Sequence, residues 1–160
     1  MKQKIINLIL VFFLVFTMVG CKKENEISNN KEFLDIYYEY YAGLKDKDFV
    51  GIDLRDYETK YVEGHLKGFI SFDFFPGLVS GDLNNDTYRQ RFHEWIQINY
   101  SKDTVLFIVD DGDGCTDTVN RVLKSQNFDE YYIYSKGYDK LIQANEGLIE
   151  IVTGGSECDC

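Results

Sequence analysis

Six consecutive residues combine a thiol with three carboxylates and two glycines: Asp110, Asp111, Gly112, Asp113, Gly114 and Cys115. A thiolate is a nucleophile that can carry a sulfur atom or exchange disulfides, provided that its surroundings lower its pKa. Carboxylate oxygens spaced two residues apart around a glycine are instead the ligands that a hard cation such as Ca²⁺ uses. This segment, called the acidic loop below, is therefore the first candidate for a functional site.

The acidic loop lies between a predicted strand and a predicted helix. The apolar run Val105–Val109 is typical of a buried strand, and the glycines that follow cannot continue it. A helical pattern opens at Thr116 and places Val119, Val122 and Leu123 on one side. In such a unit several backbone N–H groups and the positive end of the helix dipole converge, which favours an anion or a thiolate.

Two upstream segments resemble the rhodanese family. Asp53-Leu-Arg55 is similar to that family's Asp-Val-Arg motif. The segment from Tyr61 to Ile70, Tyr-Val-Glu-Gly-His-Leu-Lys-Gly-Phe-Ile, resembles its Tyr-x-x-Gly-His-Ile-x-Gly-Ala-Ile motif. The spacer between the motifs is one residue longer than is usual, and Lys60 stands where the family commonly has Glu. Gly64 and His65 belong to the second motif, and we expect these motif residues to maintain the fold.

The resemblance extends over about residues 33–148 and implies a rhodanese-like α/β fold. Strands that alternate with helices also predict parallel pairing with right-handed crossovers. We therefore expect a central parallel sheet flanked by helices on both faces, formed by a domain over residues 31–150. A helix capped near Asn29 and ending near Gly43 should lie on this sheet, and a second should place Phe92 and Trp95 on its apolar face.

In the rhodanese family the residue directly after the central strand is the catalytic Cys, which takes up sulfur as a persulfide. The resemblance places Asp110 at this position. A carboxylate can accept the hydrogen bonds of the loop, but it cannot form a persulfide. We therefore expect a domain that lacks ordinary sulfurtransferase activity and keeps a binding or interaction role. The related phosphatases, with a Cys-x5-Arg loop, are excluded because Thr116 occupies the position of the Arg.

Two other hypotheses remain open at this point. The first is an enzyme that transfers sulfur or exchanges thiols through Cys115, with Cys158 or Cys160 of the C-terminal Cys-x-Cys segment as a relay. The second is a calcium site between Asp111 and Asp117, although the EF-hand spacing is incomplete. No cofactor is expected, and His93 is expected to be structural because no partner lies near it in the sequence.

The N-terminus resembles a bacterial lipoprotein signal. Lys2 and Lys4 precede an apolar run that ends in Met18-Val-Gly-Cys21, which predicts a signal peptide over residues 1–20 and acylation of Cys21. Residues 21–30 would then form a tether, and residues 151–160 a flexible tail. We expect the protein in the cell envelope, on the outer membrane or the cell surface of a bacterium.

The charge of the chain excludes some partners. Cleavage before Cys21 removes two of the 17 basic residues and none of the 27 acidic ones, which takes the net charge from −10 to −12. Such a domain is a poor partner for nucleic acid and for anionic lipid headgroups. Attachment to the membrane would therefore depend on the acyl chains, and the expected partner is an envelope protein or a small thiol or sulfur species.

Overall fold

The computed structural model describes residues 26–72 and 86–155, with the backbone alone for residues 86–88. The predicted signal peptide, the lipid attachment site Cys21 and the tail thiols Cys158 and Cys160 lie outside the described residues. Within the described part of the chain, no helix is long and apolar enough to cross a membrane.

The described residues form four α-helices, six strands and one π-helical turn. The helices are α1 (Asn30–Tyr41), α2 (Asp86–Asn99), α3 (Cys115–Gln126) and α4 (Tyr138–Gln143). The strands are β1 (Phe49–Asp53), β2 (His65–Leu66), β3 (Phe69–Ser71), β4 (Val105–Val109), β5 (Tyr131–Tyr134) and β6 (Ile151–Val152). The π-helical turn spans Tyr57–Tyr61 and follows β1 directly.

Four of the strands form one parallel sheet in the order β3-β1-β4-β5. The five apolar residues of β4 are all fully buried because the strand lies in the interior of this sheet, between β1 and β5. Parallel strands align their carboxyl ends, so Asp53 at the end of β1 pairs with Val109 at the end of β4. The expected parallel α/β fold is therefore confirmed, and the acidic loop emerges at this edge.

Each face of the sheet carries its own hydrophobic core, because successive side chains of a strand point to opposite faces. Leu106 and Ile108 of β4 pack with residues of α2 and α3, among them Phe92 and Val119. Val105, Phe107 and Val109 pack on the other face with residues of α1 and α4, among them Phe33, Tyr37 and Leu141. Helices on both faces were expected and are confirmed.

The side chain of Asn29 caps α1 by accepting hydrogen bonds from the backbone N–H groups of Lys31 and Glu32, as the sequence pattern predicts. Two segments outside the predicted bounds of 31–150 also pair with strands of the domain. Glu26 and Ile27, assigned to the tether, lie beside β5, where Ile27 N–H donates to the carbonyl of Ile133 over 2.8 Å. At the other end, β6 of the predicted tail pairs with β2. Two residues are too few to give a periodic signal in either segment.

Candidate functional site

The side chain of Asp110 occupies the centre of the acidic loop. Its exposed fraction is 0%, although it is an ionisable residue at the end of a strand. One carboxylate oxygen, Oδ1, accepts a hydrogen bond of 2.7 Å from the backbone N–H of Gly112. The other, Oδ2, accepts one of 3.1 Å from the backbone N–H of Thr116 in the first turn of α3. The backbone N–H groups of Gly112 and Thr116, which could otherwise bind an external anion, thus donate to this carboxylate.

Burial raises the pKa of Asp110 to about 6, because removal from water disfavours the charged form. The hydrogen bonds from Thr116 and Gly112 act in the opposite direction and limit the rise, while the negative charge of Asp113 adds to it. At pH 7 most of the population still carries an ionised Asp110. The centre of the loop is therefore negatively charged at neutral pH.

Cys115 lies in the hydrophobic core, and its exposed fraction is 1%. Its side chain belongs to the same buried cluster as Ile52, Leu54 and Phe72, on the face of the sheet that α2 and α3 cover. Its backbone N–H donates a hydrogen bond of 3.1 Å to Oδ1 of Asp113. The thiol is thus packed as a small apolar group inside the domain, away from solvent.

Asp53 and Arg55, which we expected to maintain the fold, form a buried ion pair beside the loop. Nε of Arg55 donates to both carboxylate oxygens of Asp53 at 3.0 Å, and Nη2 donates to Oδ2 over 2.7 Å. Nη2 also donates to the carbonyl of Gly64 over 2.7 Å. The guanidinium carbon lies 3.4 Å from the centre of the Tyr138 ring, and Tyr138 N–H donates to the carbonyl of Asp110. The pair therefore links β1, the residue before β2 and α4 to the loop.

His65 is also held inside the fold rather than presented to a ligand. Its ring stacks on that of Tyr61 with the centres 3.8 Å apart, and its Nδ1 lies 3.0 Å from the carbonyl oxygen of Tyr61. The residue is buried. This arrangement agrees with the structural role expected from the motif.

Two glycines allow the acidic loop to pack against the turn before α4. Gly112 and Gly137 have φ angles of +80° and +92°, which side chains rarely adopt. A Cβ atom at Gly137 would lie 2.7 Å from the carbonyl oxygen of Asp111. Backbone therefore contacts backbone here, and this contact fixes one wall of the loop.

A family comparison identifies the domain. The model of the rhodanese-like domain matches residues 37–144. The chain belongs to the rhodanese-like domain family. No curated protein matches the sequence.

Solved structures share the fold of this rhodanese-like domain. YnjE matches with a TM-score of 0.56 and 13% identity over 74% of this chain, which spans 29% of YnjE. The BH2092 protein of Bacillus halodurans matches with a TM-score of 0.52 and 16% identity, over 88% of this chain and 83% of the other. The Alr3790 protein of Anabaena sp. matches with a TM-score of 0.51 and 17% identity, over 73% and 79%. Identities this low establish the fold alone.

In this rhodanese-like domain, one basic residue contacts the acidic loop, and the sequence analysis did not predict this contact. Nζ of Lys60, in the π-helical turn, lies 2.6 Å from Oδ2 of Asp111. The hydrogen bond with Asp111 raises the pKa of Lys60, with a further contribution from the negative charge of that carboxylate. The sequence did contain a signal for this contact. Residue 60 is Lys where the family commonly has Glu, and it faces a loop that carries three Asp residues.

The calcium hypothesis finds no support in this rhodanese-like domain. Asp110 accepts hydrogen bonds from two backbone N–H groups, and Asp111 forms an ion pair with Lys60. Asp113 accepts a hydrogen bond from the backbone N–H of Cys115. These carboxylates therefore have separate partners instead of a shared centre. Within the described ranges, no group of three or more His, Cys, Asp or Glu side chains is arranged to hold a metal ion.

Proposed function

We propose that this protein is a membrane-anchored rhodanese-like domain that lacks ordinary sulfurtransferase activity and acts by binding a partner. One observation carries the proposal: the carboxylate of Asp110 lies where the resemblance puts the catalytic Cys, and it is hydrogen-bonded to the backbone N–H groups of Gly112 and Thr116. Sulfur transfer of the kind that the family performs would require a thiol at this position.

The chemistry of sulfur transfer requires a nucleophile that forms a bond to the sulfur of the donor and releases the rest of the donor as an anion. A carboxylate does not form a persulfide, so Asp110 cannot replace the thiolate. An ionised Asp110 also repels anionic donors such as thiosulfate, by roughly 4 kcal/mol for two unit charges about 4 Å apart at an effective dielectric constant of about 20. Both effects act against turnover.

The burial of Cys115 argues against the alternative enzyme. A thiol that is 1% exposed cannot meet a donor unless the first turn of α3 opens. Sulfur relay to Cys158 or Cys160 would require the same opening. The described contacts of Cys115 are those of a packed core residue, in a cluster with Val119 and Leu123.

The test of inactivity is the release of thiocyanate from thiosulfate and cyanide. We expect no turnover above the protein-free rate for the native chain, for Cys115→Ser or for the double variant Cys158→Ser and Cys160→Ser. An authentic active rhodanese serves as the positive control for the assay. Turnover by the native chain that Cys115→Ser abolishes would show that the enzyme alternative is correct.

Anchoring through acylated Cys21 belongs to the same proposal, and it rests on the signal-like N-terminus. The folded domain is too acidic to bind anionic lipid by charge, so the acyl chains would provide the attachment. The partner would be an envelope protein or a small thiol or sulfur species. Radiolabelled palmitate in a bacterial host should label the full chain but not Cys21→Ala. Equal labelling of the two would contradict the anchor.

A further inference from the structure

A groove lies between α2 and α3, on the face of the sheet that these two helices cover. It has a volume of about 420 Å³, and its lining includes Arg89, Gln90 and His93 of α2 and Arg121, Val122 and Ser125 of α3. This volume is within the range of pockets that hold small molecules and is larger than a single phosphate requires. The groove involves no residue of the acidic loop.

The lining residues are mainly hydrogen-bond donors. Two guanidinium groups line the groove. A guanidinium group is planar and matches the oxygens of a phosphoryl group or a carboxylate with pairs of N–H donors. The amide of Gln90 and the imidazole of His93 add further N–H donors. None of the six described lining residues is acidic, in a chain whose net charge is −10. Hydrogen-bond donors and positive charge are therefore concentrated in this groove, although the chain as a whole is acidic.

Arg121 is oriented on α3 by neutral acceptors. Its Nε donates to the carbonyl of Asp117 and its Nη2 to the hydroxyl of Thr118, both over a long 3.3 Å. Among the described residues, no carboxylate forms an ion pair with this guanidinium. Long bonds to neutral acceptors are readily exchanged for a charge-assisted bond to an anion, which is shorter and stronger.

The two helices are tied together beside the groove. Nε2 of Gln126, a buried residue of α3, donates over 3.2 Å to the backbone carbonyl of His93 on α2. Phe92 of α2 and Val122 of α3 belong to the same hydrophobic core cluster. The backbones of the two helices are thus held together beside the groove before any ligand arrives, which lowers the entropic cost of binding.

From these observations we infer that the groove is a binding site for a compact organic or inorganic anion that carries phosphoryl or carboxylate groups. Arg89 and His93 bind the anion from the wall that α2 forms, and Arg121 binds it from the wall that α3 forms. The site is separate from the acidic loop, so it does not depend on whether that loop is catalytically inactive. It gives an acidic domain one place where an anion is stabilised.

The experiment is a titration of the isotopically labelled protein with pyrophosphate and with citrate, at an ionic strength held constant with sodium chloride. We expect saturable chemical-shift changes at backbone amides of α2 and α3 and at the His93 ring, with the acidic loop unaffected. Preference for pyrophosphate or for citrate identifies the group that the site selects. The absence of saturable changes with both anions at millimolar concentration would overturn the proposal.

Charge-matched variants separate a specific site from general attraction. Arg121→Gln and Arg89→Gln should each weaken binding about tenfold, because each removes a charge-assisted pair of hydrogen bonds. Their controls are Lys124→Gln on α3 and Arg91→Gln on α2, which remove the same charge from exposed positions outside the lining. Gln is about as good a helix former as Arg or Lys, so folding is preserved. Equal weakening by Arg121→Gln and Lys124→Gln would show that no specific site exists.

Discussion

Oδ2 of Asp110 accepts a hydrogen bond of 3.1 Å from the backbone N–H of Thr116, at the start of α3. A helix N-terminus in this position attracts negative charge, and here the chain provides that charge from its own side chain. The start of α3 thus interacts with a carboxylate of the chain itself instead of an external anion. The predictions that follow test this arrangement and the contacts that support it.

Asp110 should make the stability of the domain depend on pH. Its pKa is raised from 3.8 to about 6, so the folded state binds this proton more tightly than the unfolded state. The free energy of unfolding should therefore fall as pH rises from about 4 to 7, by about 3 kcal/mol at roughly 1.4 kcal/mol per pKa unit. Urea unfolding across this range should show the decline in the native protein and a flatter profile in Asp110→Asn.

The comparison with Asp110→Asn also removes the effect of other groups. Glu130 accepts hydrogen bonds from Lys47, Tyr40 and Tyr132, and its pKa is lowered to about 2 despite partial burial. Its contribution has the opposite sign, because it is lost as pH falls from about 4.5 towards 2. Asp110→Asn leaves it in place. Parallel profiles for the native protein and the variant would contradict the burial effect at Asp110.

Cys115 should be unreactive in the folded protein. In the double variant Cys158→Ser and Cys160→Ser, with Cys21→Ala, Cys115 is the remaining thiol of the chain. Alkylation by iodoacetamide, followed by mass spectrometry, should be slow in buffer and complete in denaturant, because the thiol is packed in the core. Equal rates under the two conditions would place the thiol at the surface and favour the enzyme alternative.

Gly137→Ala should destabilise the domain by about 2 kcal/mol or more, because a Cβ there meets the carbonyl of Asp111 and φ is positive. Gly147→Ala is the matched control. Its φ is +79°, but no atom lies within 4 Å of its Cβ position, so it should cost only about 1 kcal/mol. Chemical denaturation measures the difference. A Gly137→Ala variant no less stable than Gly147→Ala would rule out the backbone contact as a constraint.

Arg55 should be sensitive even to substitution by Lys. Lys retains the charge but loses the planar donor pair and the stacking on Tyr138, at an expected cost of about 2 kcal/mol. Arg55→Gln should cost about 3 to 5 kcal/mol, because it leaves Asp53 buried without its cation. Lys60→Gln, which breaks the half-exposed pair with Asp111, should cost less than about 1 kcal/mol. Thermal unfolding with similar losses for all three would contradict the role of burial.

Much of the fold could be predicted because its elements carry local signals. The apolar run of β4, the cap of α1 at Asn29 and the strand-helix alternation each follow from spacing that the chain shows directly. Pairing of β6 with β2 was not predictable, since two residues carry no period. His93 was expected to be structural because no partner lies near it in the sequence, and this stays a prediction. That Arg121, on another helix, lines the same groove as His93 could not be seen from the sequence.

For the site itself, the residue types of the acidic loop were decided by the sequence. It has a carboxylate at position 110, a single thiol at position 115 and no Lys or Arg between Lys102 and Arg121. Which of these side chains turns into the loop and which turns into the core was decided by tertiary structure, because β4 and α3 set the direction of each. Tertiary structure also placed Lys60 beside Asp111 and Tyr138 against Arg55. These contacts join residues far apart in the chain, and only the parallel sheet brings them to one edge.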